Sequence, residues 1–119
     1  VQAAIDEIAE RPFSRGATLV SSTGVSAQFV VAWRAPFACT VQAVRGQRVG
    51  GSGATVNARR DSGFDHLAAP LSLSSADVWL DGGAVQNTAY AVGDTLEIVV
   101  VSASGLPTQI SIQVEFVRS

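Results

Sequence analysis

From Val25 to Trp33 apolar side chains fall on every second position, Val25, Ala27, Phe29, Val31 and Trp33, with Ser26 and Gln28 between them. This alternation predicts a strand with one buried face. Ala35-Pro36 ends it, and Cys39, Val41 and Ala43 resume the same period. Arg45 to Val49 then carries the chain to a glycine cluster, Gly50-Gly51-Ser52-Gly53, after which a short strand is predicted from Ala54 to Arg59. Arg60-Asp61-Ser62-Gly63 and Asp81-Gly82-Gly83 read as turns. Between them His66 to Leu73 reads as a brief extended piece that Pro70 keeps near an edge. Leu96 to Val101 is almost continuously apolar and rich in β-branched residues, which predicts a central strand covered on both sides. The cleanest alternation comes last. Ile110, Ile112, Val114 and Phe116 point in while Gln109, Ser111, Gln113 and Glu115 point out, as expected of a strand deep in a sheet. About seven or eight such segments, with turn signals every ten or so residues, define an all-β chain folded as an antiparallel sandwich or barrel.

The first ten residues follow a different period. Val1, Ile5 and Ile8 are spaced by four and three, the step of a heptad seam, and so predict a short helical segment that needs a partner helix. Arg11-Pro12 stops it, because proline lacks the amide hydrogen and disfavours helical geometry in the residue before it. The chain therefore divides into a helical stalk or anchor, residues 1–12, and a β-sandwich head, residues 13–119. The expected product is a homotrimer with Val1, Ile5 and Ile8 at its threefold seam.

Composition narrows the partners. At 119 residues and 47% hydrophobic content the chain has room for one core and no second catalytic domain. Only 15% of residues are charged, and all eight basic residues are arginine, so the surface is mainly Ser, Thr, Gln, Asn and Gly. A net charge of -2 offers no global basic field for nucleic acid. No apolar run approaches a membrane span, so membrane insertion is not expected. The absence of methionine leads us to expect that translation began upstream of Val1. One cysteine, Cys39, excludes an intrachain disulfide and favours folding in a reducing cytoplasm.

Val1-Gln2-Ala3-Ala4-Ile5-Asp6-Glu7-Ile8 resembles the "VQAALDEL" linkers that recur in bacteriophage fibre and virion-decoration proteins. The stretches ATVNARRDSGFDHLAAPLSLSSADVW and YAVGDTLEIVVVSASG resemble the β-sandwich heads of the same proteins, which are themselves similar to trimeric tumour-necrosis-factor-like heads. Val92-Gly93-Asp94-Thr95-Leu96 matches the Gly-Asp-x-Leu lead-in to a long strand in those heads, whereas Asp61-Ser62-Gly63 stands where they carry an Asn-Gly turn. The resemblance spans most of residues 25–117. It implies a jelly-roll head and a structural role in the virion: head fibre, capsid decoration or fibre head. It further implies assembly in the host cytoplasm, capsid or fibre proteins as partners, and neither turnover nor a cofactor.

Candidate chemistry is sparse. Gly50-Gly51-Ser52-Gly53-Ala54-Thr55 lacks the lysine and the following helix of a phosphate loop. Asp61, Asp65 and His66 cluster in sequence, but one histidine and one cysteine make a poor zinc set, and Asp81 and Asp94 in Asp-Gly and Gly-Asp turns are expected to cap their own backbone rather than hold calcium. A Ser/His/Asp hydrolase would need His66, and no serine sits in a Gly-x-Ser-x-Gly elbow. Cys39, in an alternating strand, reads as a buried inert thiol. Two constellations remain. Arg45, Arg48, Arg59 and Arg60 flank the glycine cluster; they either pair with carboxylates such as Asp61 and Asp65 or, through Arg48 and Arg59, anchor an acidic partner. Trp33 reads as core, whereas Trp79, close to Asp77, Asp81 and two glycines, is the candidate for an exposed ring on which a sugar stacks, with Asn87 and Tyr90 beside it. The competing reading packs Trp79 in the core or at a subunit interface. A carbohydrate-binding module that recognises host-surface polysaccharide is thus the alternative to the structural virion role.

Overall fold

The computed structural model describes residues 12–119, and the proposed stalk residues Val1, Ile5 and Ile8 lie outside them. The described chain is all-β. Its strands are β1 (Pro12–Val20), β2 (Gln28–Arg34), β3 (Cys39–Val49), β4 (Gly53–Arg60), β5 (Phe64–Asp65), β6 (Leu71–Ser72), β7 (Leu80–Asp81), β8 (Ala89–Tyr90), β9 (Thr95–Ser104) and β10 (Gln109–Arg118). They form two antiparallel sheets. Sheet A has the order β1-β10-β3-β7 with β8 also on β3; sheet B has the order β2-β9-β4-β5 with β6 also on β4. From β1 to β4 the strands alternate between sheets, β4 and β9 share sheet B, and β10 returns to sheet A; apart from the local β4–β5 pair, sheet neighbours are joined by long-range registers.

The core lies between the sheets. Val41, Val44, Ile110, Ile112, Val114 and Phe116 from sheet A meet Val56, Ala58, Leu96, Ile98 and Val100 from sheet B, all essentially inaccessible. The alternation in β10 produces this directly, since Ile110, Ile112, Val114 and Phe116 are each 0% exposed between β1 and β3. One end of the core is aromatic. Phe13 stacks on Phe116 at 5.3 Å, and Trp33 and Tyr90 each pack against the same ring at 5.2 Å. Such pairs add about 0.5–1.5 kcal/mol each beyond area burial.

β2 departs from the alternation expected of it. Phe29 and Val31 face solvent, at 54% and 64% exposure, while Val30 and Ala32 pack on the core. All five residues from Phe29 to Trp33 are apolar, so period alone does not choose a face. A bulge between Val31 and Trp33 then returns Trp33 to the inner side, where it joins the aromatic cluster. Val25 is buried but precedes the strand. β9 is covered on both faces only in its first half, because Val101 is 46% exposed. Of His66 to Leu73, only Leu71–Ser72 pairs as a strand.

Three connections interlock at one end: β1 to β2, β3 to β4, and β9 to β10. Val25 N–H donates to Pro107 O at 2.7 Å, Ser52 N–H to Ser104 O at 2.9 Å, and Ser21 N–H to Thr108 O at 3.0 Å. Gly51 and Gly105 adopt positive φ where the backbones nearly touch: a Cβ on Gly51 would lie 2.7 Å from Pro107 N, and one on Gly105 2.5 Å from Ser52 N. Only glycine meets both demands. Arg48, 3% exposed, completes the clasp by donating to the carbonyls of Leu73 at 2.8 Å, Gly50 at 2.5 Å, Gly51 at 2.9 Å and Ser74 at 3.3 Å.

Candidate functional site

The outward positions of sheet A form a grid of polar side chains. Register aligns Ser14 with Glu115 and Ala43, Gly16 with Gln113, Arg45 and Asp81, and Thr18 with Ser111 and Gln47. Thr18 and Ser111 share a hydroxyl hydrogen bond at 2.9 Å. Arg45 sits between two carboxylates, donating through Nη1 to Glu115 Oε2 at 2.5 Å and lying 3.4 Å through Nε from Asp81 Oδ2. The Glu115 bond is also the main reason that its guanidinium is held more firmly protonated than usual.

Trp79 borders this grid. It immediately precedes β7, and alternation places it on the same outer side as Asp81, since the intervening Leu80 packs on the core. Trp79 is 50% exposed, the arrangement of an aromatic platform beside amides, hydroxyls and charges. Asp77 opens the same segment. It is exposed with φ +64°, and its N–H donates to Arg48 O at 2.8 Å, so the clasp fixes where the Trp79 segment starts. Asp81 also accepts from Gly83 N–H at 2.8 Å, the self-capping turn expected from its sequence.

The sequence candidates divide among several places. Trp79, Asp77 and Asp81 fall along one segment, but Asn87 does not join them: its side chain donates to Asp65 O at 2.8 Å, and neighbouring Thr88 O receives Val41 N–H. Six strand residues separate that level of β3 from the level of Trp79, roughly 20 Å. Tyr90 is buried.

The four arginines also separate. Arg48 is consumed by the clasp and is not an exposed anchor. Arg59, on sheet B, bonds Glu97 Oε1 at 2.6 Å and lies 4.7 Å over the Phe29 ring. Glu97 is 6% exposed; burial alone would raise its pKa, but hydrogen bonds from Ser62 and Arg59 outweigh it and hold the carboxyl below its ordinary value. Arg60 donates to Asn87 O and Ala89 O and lies 4.5 Å over the Phe64 ring. Register pairs Arg59 with Asp65, yet its guanidinium goes to Glu97.

His66 is wholly buried, its ring nitrogens 2.7 Å from Tyr90 Oη and 3.3 Å from Gln86 O. Burial depresses its pKa; the Gln86 carbonyl opposes that and Arg60 reinforces it. Cys39 is buried with its thiol pushed up to about 11, chiefly by desolvation and then by Asp94. Both groups are core fixtures held away from solvent. Among the described residues no three His, Cys, Asp or Glu side chains gather into a metal-binding group.

Gln47, Gln113, Glu115, Ser111 and Thr18 were not singled out as site residues by sequence reasoning. Their outward direction in β10 was legible; that β1, β3 and β7 would align further polar side chains beside them was not, because it depends on long-range register.

The class defined by these features is a two-sheet all-β domain with a polar, Trp-bordered outer face. No family model and no curated protein matches the chain. Among solved structures it is similar to the C-terminal domain of EclA, titled a sugar-binding protein, at 21% identity over 87% of this chain and 74% of that one, with a TM-score of 0.40.

Proposed function

We propose that this chain is a non-enzymatic display head of a bacteriophage virion, in a head fibre, capsid decoration or fibre head, that assembles as a homotrimer on a stalk seamed by Val1, Ile5 and Ile8. The observation that supports the fold of such a head is the pair of strand orders, β1-β10-β3-β7 and β2-β9-β4-β5. They support a jelly roll, in which antiparallel strands are shared between two facing sheets, an architecture that recurs in viral capsid proteins and lectins. The virion role itself rests on the resemblance of the first eight residues and of the head segments to phage fibre and decoration proteins, since a fold hosts many functions. Its partners are capsid or fibre proteins, and its work is assembly and display. Gold-labelled antibody raised against this chain should decorate intact phage particles purified from the source. Particles that remain unlabelled, with the chain found only in the soluble lysate, would overturn the role.

A second reading has its own observation. The half-exposed Trp79, immediately before the β7 strand in which Asp81 pairs with Arg45, favours a polysaccharide ligand, with the ring stacking on a sugar and the grid supplying hydrogen bonds. Trp79→Ala should abolish retention on host polysaccharide without changing the thermal midpoint; unchanged retention would remove carbohydrate from the function.

A further inference from the structure

On the outer face of sheet A, Thr18, Ser111 and Gln47 stand in one row that runs across the strands rather than along them. Leu80 pairs with Gly46, so Trp79, the residue before it, meets β3 at the level of Gln47. Asp77 N–H, bonded to Arg48 O at 2.8 Å, keeps that segment alongside β3 just beyond this level. One line therefore crosses four chain segments, from the half-exposed Trp79 to the exposed Thr18 at the β1 edge, roughly 14 Å at ordinary strand spacing. Between its ends lie only an amide and a hydroxyl, with Ser111 bonded to Thr18 at 2.9 Å.

Charge selects the class of polysaccharide that suits this row. Among the outward positions of β1, β10, β3 and β7, Arg45 is the one basic side chain, and it already bonds Glu115 at 2.5 Å with Asp81 at 3.4 Å. One cation between two carboxylates leaves the face negative, and the exposed Asp77 adds to this at the Trp79 end. An acidic glycan would meet like charge here. An uncharged glycan meets none, and its hydroxyls both donate and accept, which suits the amides, the hydroxyls and the remaining lone pairs of the carboxylates.

Granted the polysaccharide reading above, on which this rests, we infer that the ligand is a linear, uncharged glycan lying across the strands, one ring stacked on Trp79 and the following rings over Gln47 and Thr18. The roughly 14 Å of the row holds about three sugar rings. Each ring beyond the first adds contacts until the row is filled, so affinity rises with chain length and then levels.

The probe is host-surface polysaccharide, separated on an anion exchanger into neutral and acidic fractions and cut into pieces of graded length, with binding to the full chain followed by calorimetry. Neutral pieces should bind, with affinity levelling at about three rings. Gln47→Ala with Thr18→Val should weaken binding of the longer pieces at least about tenfold while leaving the shortest unchanged. Gln47→Ala alone should act in the same direction and guards against misfolding of the double variant, whose thermal midpoint is compared with wild type. Preferential binding of the acidic fraction would overturn the inference and leave the polysaccharide reading in place. So would a double variant that binds long pieces as wild type does although Trp79→Ala has lost them. Failure of both fractions to bind the wild-type chain would remove the inference and the polysaccharide reading together.

Discussion

The outer faces of the two sheets are made from strands of similar length and the same antiparallel pairing, yet they present opposite chemistry. Sheet A turns out hydroxyls, amides and the Asp81-Arg45-Glu115 chain, with one aromatic ring at its border. Sheet B turns out Phe29, Val31, Val99 and Val101 around one nearly buried ion pair. The charged groups are therefore in different states on the two faces. Arg45 is 42% exposed and remains hydrated beside both partners, whereas Glu97 has been withdrawn from water and depends on Arg59 and Ser62. A hydrated polar grid suits reversible binding of a polar ligand; a largely apolar face suits contact with another protein surface.

The sharpest way to break the contrast is to release the clasp that holds both sheets at one end. Arg48→Met keeps much of the side-chain volume but leaves four carbonyls without their donor, and chemical denaturation should show a loss of about 3 kcal/mol. Next, Glu97→Gln should cost about 2 kcal/mol at neutral pH, because it leaves Arg59 facing a neutral group on the apolar face. The same carboxyl has a folded pKa below its ordinary 4.5, so its contribution is present above that value and lost as pH falls through the folded one. Wild-type stability should therefore decline in that acid range, and the variant should decline less.

The third effect is the smaller pH dependence of His66. Its folded pKa lies below 6.5, so the unfolded chain binds more protons than the native one in the window below that value. Stability should fall as pH drops from 6.5, with a slope of up to about 1.4 kcal/mol per unit. His66→Gln should flatten the slope. Hydrogen exchange should locate the loosening in residues 64–67 and 85–90, leaving the β2 side protected. Smallest of all, Arg45→Met on the polar face should change stability by no more than about 0.5 kcal/mol, because its pairs are solvent-screened. A loss from Arg45→Met equal to that from Glu97→Gln would erase the distinction between the faces.

Much of the architecture was legible in the sequence because its determinants are local. The strict alternation of β10 identified its buried face, the Gly50 cluster marked a turn, and Leu96 and Ile98 were correctly placed in a central strand. Where the reading failed, local pattern was silent. Phe29 to Trp33 is apolar at every position, so the choice of face fell to register and a bulge. Arg48 looked like a surface charge because the four carbonyls that hold it come from two separate connections, β3 to β4 and β6 to β7. Trp79 was read as an exposed ring from its polar neighbours in sequence and is half-exposed, whereas Asn87, grouped with it, lies elsewhere, since the intervening residues run along β3 and carry Asn87 to Asp65. The amide and hydroxyl grid became visible only when four strands were aligned.

The interlocked glycine end also bears on how this protein diversifies. Loops that stand alone tolerate insertions, and lineages under pressure to change what they bind commonly do so by altering loop length. Here Gly51 touches Pro107 and Gly105 touches Ser52, so lengthening one connection would displace its neighbours. Variation at this end is therefore channelled into single-residue exchanges at outward tips such as Ser22, Leu106 and Thr108, all exposed, while the frame beneath them keeps its dimensions.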